Sequence, residues 1–404
     1  MKALRNYLDK IKPNFEEGGK LHAFHSVFDG IETFLFVPGK TSKSGVHIHD
    51  SIDSKRIMSI VVIALMPALL FGMYNLGYQH FLAIGAVSTA SFWEMFAYGL
   101  LATLPKIVVS YAVGLGIEFV IAQWKKEEIQ EGFLVSGMLI PMIVPIDCPL
   151  WILAVATAFS VIFAKEVFGG TGMNVFNVAL VARAFLFFAY PTKMSGDAVW
   201  VGTDSICGIG GGQLVDTFSG ATPLGQAATG TGEVIVHNVV GAPATLWDMV
   251  AGFIPGSIGE TSVIAIGLGA ILMLWTGVAS WKTMLSVFVG GTVMGLIFNN
   301  FGAATNAMAH MPWYEHLVLG GFCFGAVFMA TDPVTSARTE RGKYIYGFLI
   351  GAMAIVIRVL NPGYPEGMML AILLMNIFAP LIDYCVVQGN ISRRLKRNLN
   401  STNN

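Results

Sequence analysis

The sequence predicts an all-α polytopic membrane protein, with about ten transmembrane helices in two inverted five-helix repeats that include broken helices. Of its 404 residues, 54% are hydrophobic and 12% are charged, roughly half the charged share of about 25% in an average soluble domain. The apolar residues form runs of the length that a bilayer requires, and Lys and Arg collect in alternate loops between them. These observations indicate a chain that crosses the membrane many times.

Ten apolar runs, bounded by charged residues, Pro or Gly, are the predicted spans, because a bilayer core of about 30 Å needs about 20 helical residues. In chain order they are residues 57–76, 107–124, 133–145, 150–163, 174–190, 262–279, 283–299, 316–330, 344–360 and 367–387. The third run is too short to span alone and contains Pro141 and Pro145, which indicates a half-helix or broken helix. The apolar stretch 81–104 is interrupted by Ser, Thr and Glu94, and we expect a re-entrant or surface segment there.

Orientation follows from the basic residues, because loops rich in Lys and Arg stay in the cytoplasm. The first 56 residues contain nine of them, and segment 389–404 contains four without a nearby acid. By contrast, residues 192–246 contain one Lys, and residues 301–315 contain neither Lys nor Arg. We therefore expect a cytoplasmic arm at 1–56, a periplasmic loop with a re-entrant segment at 191–261, and a cytoplasmic basic tail at 389–404.

Ten spans with both termini inside divide into five before and five after the outer loop, at residues 57–190 and 262–388. An odd number of spans in each half inverts the second half relative to the first. Short matches support this division, since Leu-Val-Ser-Gly at 134–137 opens the third span and Leu-Val-Leu-Gly at 317–320 opens the eighth. Broken helices that meet near the midplane of such repeats are typical of transporters.

Composition and spacing also exclude several functions. A net charge of −1 excludes a nucleic-acid binder that works by neutralising many phosphates. The four cysteines share no CxxC or Cys/His spacing, so we expect neither a disulfide framework nor a metal site. The absence of a Rossmann GxGxxG and of iron–sulfur spacing predicts that NADH oxidation occurs on a partner, with no catalytic residues here. The N-terminus lacks the apolar core of a cleavable signal and is expected to be retained.

Charged residues inside spans cost about 2.5 to 3.5 kcal/mol each at a helix centre, so each needs a partner or a purpose. The candidates are Glu118, Lys165, Glu166, Arg183, Arg358 and Asp383. Lys165 and Glu166 lie near a span end and can reach the interface, while the two arginines can bond carbonyls that a broken helix frees. Glu118 and Asp383 offer the oxygen ligands that a hard cation such as Na⁺ prefers. Interior carboxylates without an ion are the alternative.

The outer loop contains a stretch of small residues, Ser-Gly-Ala-Thr-Pro-Leu at 219–224. Its structural interpretation is a turn, because Gly220 permits positive φ and Thr222-Pro223 favours an extended or turn dipeptide. Its functional interpretation is an acceptor hydroxyl on Thr222, which Gly and Ala leave sterically open to an incoming phosphate.

This stretch resembles the flavinylation motif in the B subunits of bacterial Na⁺-translocating NADH:quinone oxidoreductases. Other stretches are similar to the same family: GGK at 18–20, DSKRIM at 53–58, AKEVFGGTGMN at 164–174, RAFLFFAYP at 183–191, IPGSIGE at 254–260, TNAM at 305–308, FMATDPV at 328–334 and IRVLNPGYPEGMMLAIL at 357–373. The resemblance covers nearly the whole chain and implies ten helices in two inverted halves. It implies FMN joined to Thr222 through a phosphoester bond made by an FMN transferase, with Ser219, Gly220 and Ala221 in the recognised motif.

Two positions depart from the family pattern. Val178 replaces the proline of its Asn-Pro-Ala-Leu, which can alter a bend in the fifth span, and Gly225 replaces a frequent Ser or Thr. Since Asp216 and Gly220 to Thr222 are present, we expect the FMN transferase to recognise the motif.

The resemblance further implies two ligands near the inner face. Riboflavin is expected at the Gly-rich segment 169–177, with Asn174 and Asn177 contacting its isoalloxazine ring; the alternative is a helix N-cap at Asn174, with Asn177 bonding the backbone. The expected quinone pocket comprises Met58, Gly114, Glu131, Gly132 and Phe133, and the alternative is ordinary packing of the N-terminal arm. The family links acids at the positions of Glu118 and Asp383 to sodium uptake.

The function that the resemblance implies is a membrane redox subunit that passes electrons to ubiquinone or menaquinone, coupled to Na⁺ export. Its expected partners are the other subunits of a six-subunit complex in the bacterial inner membrane, including the NADH-oxidising flavoprotein and a second subunit with covalent FMN. One alternative is the D subunit of an Rnf-type ferredoxin:NAD complex, although the long N-terminal arm resembles the quinone reductase more. The other is a flavin-free solute channel of similar fold, which has no use for the motif at Thr222.

Overall fold

A computed structural model of the chain describes residues 2–16, 19, 24–36, 44–46, 52–125, 132–195, 199–230, 236–303, 305–361 and 363–402. Within these ranges the chain forms helices joined by turns, with two isolated β-bridges and no strand. The predicted all-α polytopic fold is confirmed.

The helices are α1 (Lys2–Ile11), α2 (His25–Leu35), α3 (Ser54–Ala83), α4 (Phe92–Lys125), α5 (Phe133–Met142), α6 (Leu150–Ser160), α7 (Val178–Ala189), α8 (Pro223–Thr229), α9 (Leu246–Ala251), α10 (Val263–Trp275), α11 (Trp281–Phe301), α12 (Ala307–His310), α13 (Trp313–Val318), α14 (Phe322–Phe324), α15 (Glu340–Leu360) and α16 (Met368–Thr402). Two π-helical turns, Val161–Lys165 and Gly325–Met329, continue α6 and α14. In the described ranges six helices are long and apolar enough to cross a membrane: α3, α4, α6 with its continuation, α11, α15 and α16. Helical residues occur in all ten predicted spans.

The re-entrant or surface segment predicted at residues 81–104 is wrong. α3 continues to Ala83, and after a short loop α4 begins at Phe92 and runs through Pro105 without a break. The start of α4 is fixed by a reciprocal pair of hydrogen bonds, from the Ser91 N–H to Glu94 Oε2 (2.7 Å) and from the Glu94 N–H to Ser91 Oγ (3.3 Å). Glu94 therefore belongs to a capping box that begins a helix, and it does not interrupt an apolar run.

Helix packing repeats between the two halves of the chain. The first helices of the halves, α3 and α10, contact each other. In the first half α4 contacts both the short α5 and α6, and in the second half α11 contacts both α13 and α15. The short third helix also contacts the fifth in each half, as α5 with α7 and as the Gly325–Met329 turn with α16. This pattern agrees with two repeats of five helices.

The broken helices leave backbone carbonyls free, and buried side chains from neighbouring helices bond them. Lys106 of α4 donates from Nζ to the carbonyls of Pro145 (2.5 Å) and Ile146 (2.6 Å), which follow the end of α5. Arg183 of α7 donates to the Ile143 carbonyl at 2.6 Å, and Arg358 of α15 donates to the Leu319 carbonyl at 2.9 Å. Unpaired carbonyls are costly in a bilayer, so the structural interpretation of the two arginines is confirmed.

A native cysteine allows the orientation to be tested. Cys207 is exposed in the loop that the charge pattern puts outside. We expect an impermeant maleimide to label it in intact cells, and we expect Cys207→Ser to abolish that labelling. In a Cys207→Ser, Cys385→Ser background, Arg341→Cys should react only after the membrane is opened, because the loop before α15 is expected inside. Labelling of residue 341 but not of residue 207 in intact cells would reverse the orientation.

Candidate functional site

Thr222 is the N-cap of α8. Its backbone is extended (φ −67°, ψ 156°), Pro223 occupies the first helical position, and Thr222 Oγ1 accepts a hydrogen bond from the Gly225 N–H at 3.2 Å. The side chain is half-buried. An N-cap hydroxyl uses its oxygen as the acceptor and keeps its own hydrogen free to leave. The Thr222 hydroxyl is therefore held by one contact and remains available as an acceptor of a phosphoryl group.

The neighbouring motif residues are fixed by the rest of the outer loop. The Ser219 N–H donates to the Val239 carbonyl at 3.1 Å, and Gln226 donates from Nε2 to the carbonyls of Ala221 (3.1 Å) and His237 (2.9 Å). A Cβ atom at Gly225 would lie 3.2 Å from Thr222 Oγ1. The departure from the family pattern at residue 225 thus leaves the space beside the hydroxyl open.

Thr222 lies at the rim of a small cavity, here called the outer pocket. It is lined by Thr222, Pro223, Leu224, Ile254, Pro255, Gly256, Ser257, Glu260, Thr261, Gly320 and Glu366. The Thr261 hydroxyl is buried in this lining and has no hydrogen-bond partner in the described part of the chain. An orphaned buried hydroxyl facing a pocket fits a polar ligand group. The residues present therefore fit a flavin whose phosphate end is joined to Thr222.

Below the outer pocket lies a buried charge cluster, formed by Arg183, Glu260 and Glu366. The Arg183 guanidinium is 2% exposed; it donates to Glu260 Oε1 at 2.9 Å and also contacts Glu366 Oε2. The arginine on α7 thus joins the segments that precede α10 and α16. Sequence reasoning identified Arg183 but missed its two acids, which lie in the similar stretches 254–260 and 357–373.

A second cavity, the inner cavity, lies between the two halves near the start of α3. Its lining comprises Ile57, Met58, Val61, Gly132, Val135, Ser136, Lys165, Thr171, Asn174, Val178, Met273, Val278, Phe328, Thr331, Asp332, Pro333 and Val334. Three predicted site residues, Met58, Gly132 and Asn174, are therefore brought together. The Thr171 hydroxyl, which also lines the cavity, is buried with no partner among the described residues, so a polar ligand edge fits here as well.

The two asparagines expected at the riboflavin have different surroundings. Asn177, and not Asn174, is the N-cap of α7: its Oδ1 accepts from the N–H groups of Ala179 (3.0 Å) and Leu180 (3.3 Å). Its Nδ2 donates to Asp332 Oδ2 at 3.3 Å. Asn174 donates to the Phe176 carbonyl at 3.0 Å and lines the inner cavity. The expected N-cap was thus displaced by three residues, since Val178 in place of a proline still permits a helix to start there.

The remaining residues of the expected quinone pocket pack in the protein interior. Phe133 is fully buried, and its ring lies so close to Gly114 that a Cβ atom there would be 2.0 Å from it. Glu131 lies outside the described residues. The N-terminal arm reaches the same helix, because Phe24 stacks on Phe119 of α4 with ring centroids 5.8 Å apart. Gly114 therefore makes room for Phe133 beneath the inner cavity.

The arm is held together by ion pairs on Glu32 of α2. Glu32 bonds Arg5 Nη2 at 3.0 Å and Lys12 Nζ at 2.9 Å. The hydrogen bond to Glu32 raises the pKa of Lys12, and the attraction of the carboxylate adds to this effect. These contacts fix α1 against α2.

Glu118 and Asp383, the expected sodium ligands, lie in different parts of the molecule. Glu118 Oε1 forms a buried ion pair with Lys165 Nζ, and Glu118 Oε2 has no partner in the described chain. Asp383 accepts from the N–H groups of Arg338 (2.7 Å) and Thr339 (2.9 Å) and from Thr339 Oγ1 (2.6 Å), which anchors α16 to the start of α15. Among the described residues no group of three or more His, Cys, Asp or Glu is arranged to hold a metal ion.

Comparison with known proteins gives a consistent set of relatives. The sequence profile described as "NQR2, RnfD, RnfE family" matches residues 41–392. The B subunit of the Na⁺-translocating NADH-quinone reductase of Chromohalobacter salexigens is 45% identical, over 98% of this chain and 96% of its own length. The proteins of the same name from Ectopseudomonas mendocina and Klebsiella pneumoniae are 45% and 43% identical, each over 98% of this chain, and over 100% and 99% of their own lengths.

Proposed function

The chain belongs to the NQR2, RnfD, RnfE family, and from that membership we propose that it is the membrane redox subunit of a sodium-pumping NADH:quinone oxidoreductase. The three relatives carry that subunit name and match nearly the full length of the chain. The family profile alone also admits the Rnf subunit. We favour the quinone reductase because the named relatives align over 98% of the chain, so the N-terminal arm is part of the similarity.

Covalent FMN at Thr222 is the central part of the proposal. The observation that carries it is the half-buried Thr222 hydroxyl at the rim of the outer pocket, beside the unpartnered Thr261 hydroxyl. Oγ attacks the transferred phosphoryl group, its proton leaves, and a phosphoester forms. Pro223 and the α8 N–H groups hold the threonine, while Thr261 offers a hydrogen bond to the bound group. A flavin, when bound, supplies one- and two-electron redox chemistry.

The inner cavity is the proposed site of the second flavin and of quinone reduction. Asn174 and Thr171 offer donor and acceptor groups to a riboflavin edge, and Asn177 and Asp332 support the segment behind them. Met58 and Gly132 belong to the mouth of the cavity, with Phe133 and Gly114 beneath it, and form the proposed apolar surface for the quinone. Electrons come from a partner subunit that oxidises NADH, in a complex of the bacterial inner membrane with both termini of this chain cytoplasmic.

The direct test is a denaturing gel of the purified complex. We expect the band of this chain to fluoresce under ultraviolet light, because a phosphoester survives detergent and urea, and we expect acid extraction to release riboflavin separately. A band without fluorescence would remove covalent FMN from the proposal, while the family membership would be unaffected.

Coupling to sodium is tested at Asp383. We expect Asp383→Asn to raise severalfold the Na⁺ concentration for half-maximal quinone reduction, because carboxylate charge is a main determinant of affinity for a hard cation. Thr339→Val is the matched control, since it removes one of the same hydrogen bonds to Asp383 and keeps the charge. If the two variants shift the Na⁺ dependence equally, or if neither shifts it, Asp383 acts only as the anchor of α16, and Glu118 becomes the next residue to test.

A further inference from the structure

A third cavity, here called the basic cavity, opens between the N-termini of α11 and α15 and has a volume of about 440 Å³. It is lined by Gly277, Val278, Ala279, Ser280, Trp281, Lys282, Thr331, Pro333, Ser336, Ala337, Arg338, Glu340 and Lys343. The basic loop before α15 forms one wall, so the cavity lies at the end of the molecule expected to face the cytoplasm. Neither the flavin nor the quinone proposal uses it.

The lining carries an excess of positive charge. Three of its side chains are cationic, Lys282, Arg338 and Lys343, whereas Glu340 is the one acid in the lining that the structure describes. Glu340 bonds both lysines, Lys343 Nζ at 2.7 Å and also Lys282 Nζ. One carboxylate thus holds two ammonium groups at the cavity wall, and Arg338 remains exposed beside them. The hydroxyls of Ser280, Thr331 and Ser336 complete a lining suited to a phosphate group.

Apolar side chains lead from this cavity into the depth of the membrane. On α11 the residues Trp281, Leu285, Val289 and Val293 follow one another at helical spacing and are all exposed. They cover about 18 Å of helix at 1.5 Å per residue. On α15 Tyr344, Ile345 and Phe348 are exposed as well. The two rows meet at the cavity, where the rings of Trp281 and Tyr344 lie edge to face with centroids 6.2 Å apart.

We propose that the basic cavity binds the phosphate headgroup of an anionic phospholipid, whose acyl chains lie along the exposed rows of α11 and α15. Three cations and one acid select a negative headgroup, and basic pockets between membrane helices on the cytoplasmic side bind such lipids. Trp and Tyr at the rim are typical of the membrane interface. Free phosphate would use only the polar lining, whereas a phospholipid also covers the apolar rows, so the occupant is the lipid.

The test uses the assembled complex in detergent and native mass spectrometry with added phosphatidylglycerol. We expect the parent complex to retain the lipid and Arg338→Gln/Lys343→Gln to bind it about twenty-five-fold more weakly, since each basic residue near an anionic lipid surface contributes about a fivefold gain in affinity. The matched control is Arg393→Gln/Arg394→Gln, which removes two exposed charges from the inner tail without touching the cavity. That control should bind as the parent does.

Two further arms identify the occupant. Phosphatidylethanolamine should be retained much less than phosphatidylglycerol, and an excess of inorganic phosphate should leave the bound lipid in place. The proposal is overturned if the cavity variant binds like the parent, if the zwitterionic lipid binds equally well, or if inorganic phosphate displaces the lipid. It is also overturned if the parent complex binds no lipid, as when another subunit fills the cavity.

Discussion

Thr222→Val is expected to remove all flavin fluorescence from the denatured subunit while the subunit remains inserted and assembled. Valine keeps the shape of threonine but has no hydroxyl, so no phosphoester can form. The variant also loses the N-cap of α8, whose side chain bonds the Gly225 N–H, at a cost of about 0.5 to 2 kcal/mol. Because α8 is only seven residues long, this loss is local. In-gel fluorescence, normalised to subunit content, measures the effect.

Two companion variants separate attachment from capping. Thr222→Asp supplies a good N-cap but no hydroxyl, and its band should be as dark as that of the valine variant. Thr229→Val alters the last residue of the same helix, where the hydroxyl only bonds the carbonyls of Gly225 and Gln226, and its band should remain fluorescent. A fluorescent Thr222→Val band, or a dark Thr229→Val band in an assembled complex, would place the attachment elsewhere or make it a consequence of local folding.

The ten helical runs could be predicted from the sequence because a lipid environment forces long apolar segments on any chain that crosses it. The broken helices were likewise indicated by Pro141 and by the matching Leu-Val-x-Gly stretches. The start of α4 was also encoded locally, in Ser91 and Glu94, but Glu94 was interpreted as an interruption of an apolar run. Such errors arise where one residue type has two structural uses.

The partners of buried charges could not be predicted in this way. Glu260 and Glu366 lie 77 and 183 residues from Arg183 in sequence, and Lys165 lies 47 residues from Glu118. Hydropathy identifies each charge as costly, but the folded arrangement decides which opposite charge it meets. The outer pocket shows the same limit, because its lining combines Thr222, Glu260 and Glu366 from three separate segments.

Arg183→Met is expected to reduce sharply the amount of subunit that accumulates in the membrane. The substitution leaves the buried carboxylate of Glu260, that of Glu366 and the Ile143 carbonyl without their donor. Removing one partner of a buried ion pair costs about 3 to 5 kcal/mol, because an uncompensated charge stays inside. Arg183→Lys should recover only part of the stability, since one ammonium group cannot reproduce the two-sided contact of a guanidinium.

A compensated variant shows whether charge or volume is responsible. In Arg183→Met/Glu260→Gln/Glu366→Gln no buried charge remains, and replacing a buried ionic cluster with neutral groups of similar volume is often neutral for stability. We therefore expect the triple variant to accumulate better and to melt at a higher temperature than Arg183→Met alone, as measured by subunit yield and thermal unfolding of the solubilised complex. If Arg183→Met already equals the parent, or if the triple variant is no better than the single one, the cluster does not join the two halves through its charges. The glutamines also leave Thr222 and its α8 cap intact, so the fluorescence of the triple variant reports whether the outer pocket still receives its flavin once the charges beneath it are gone.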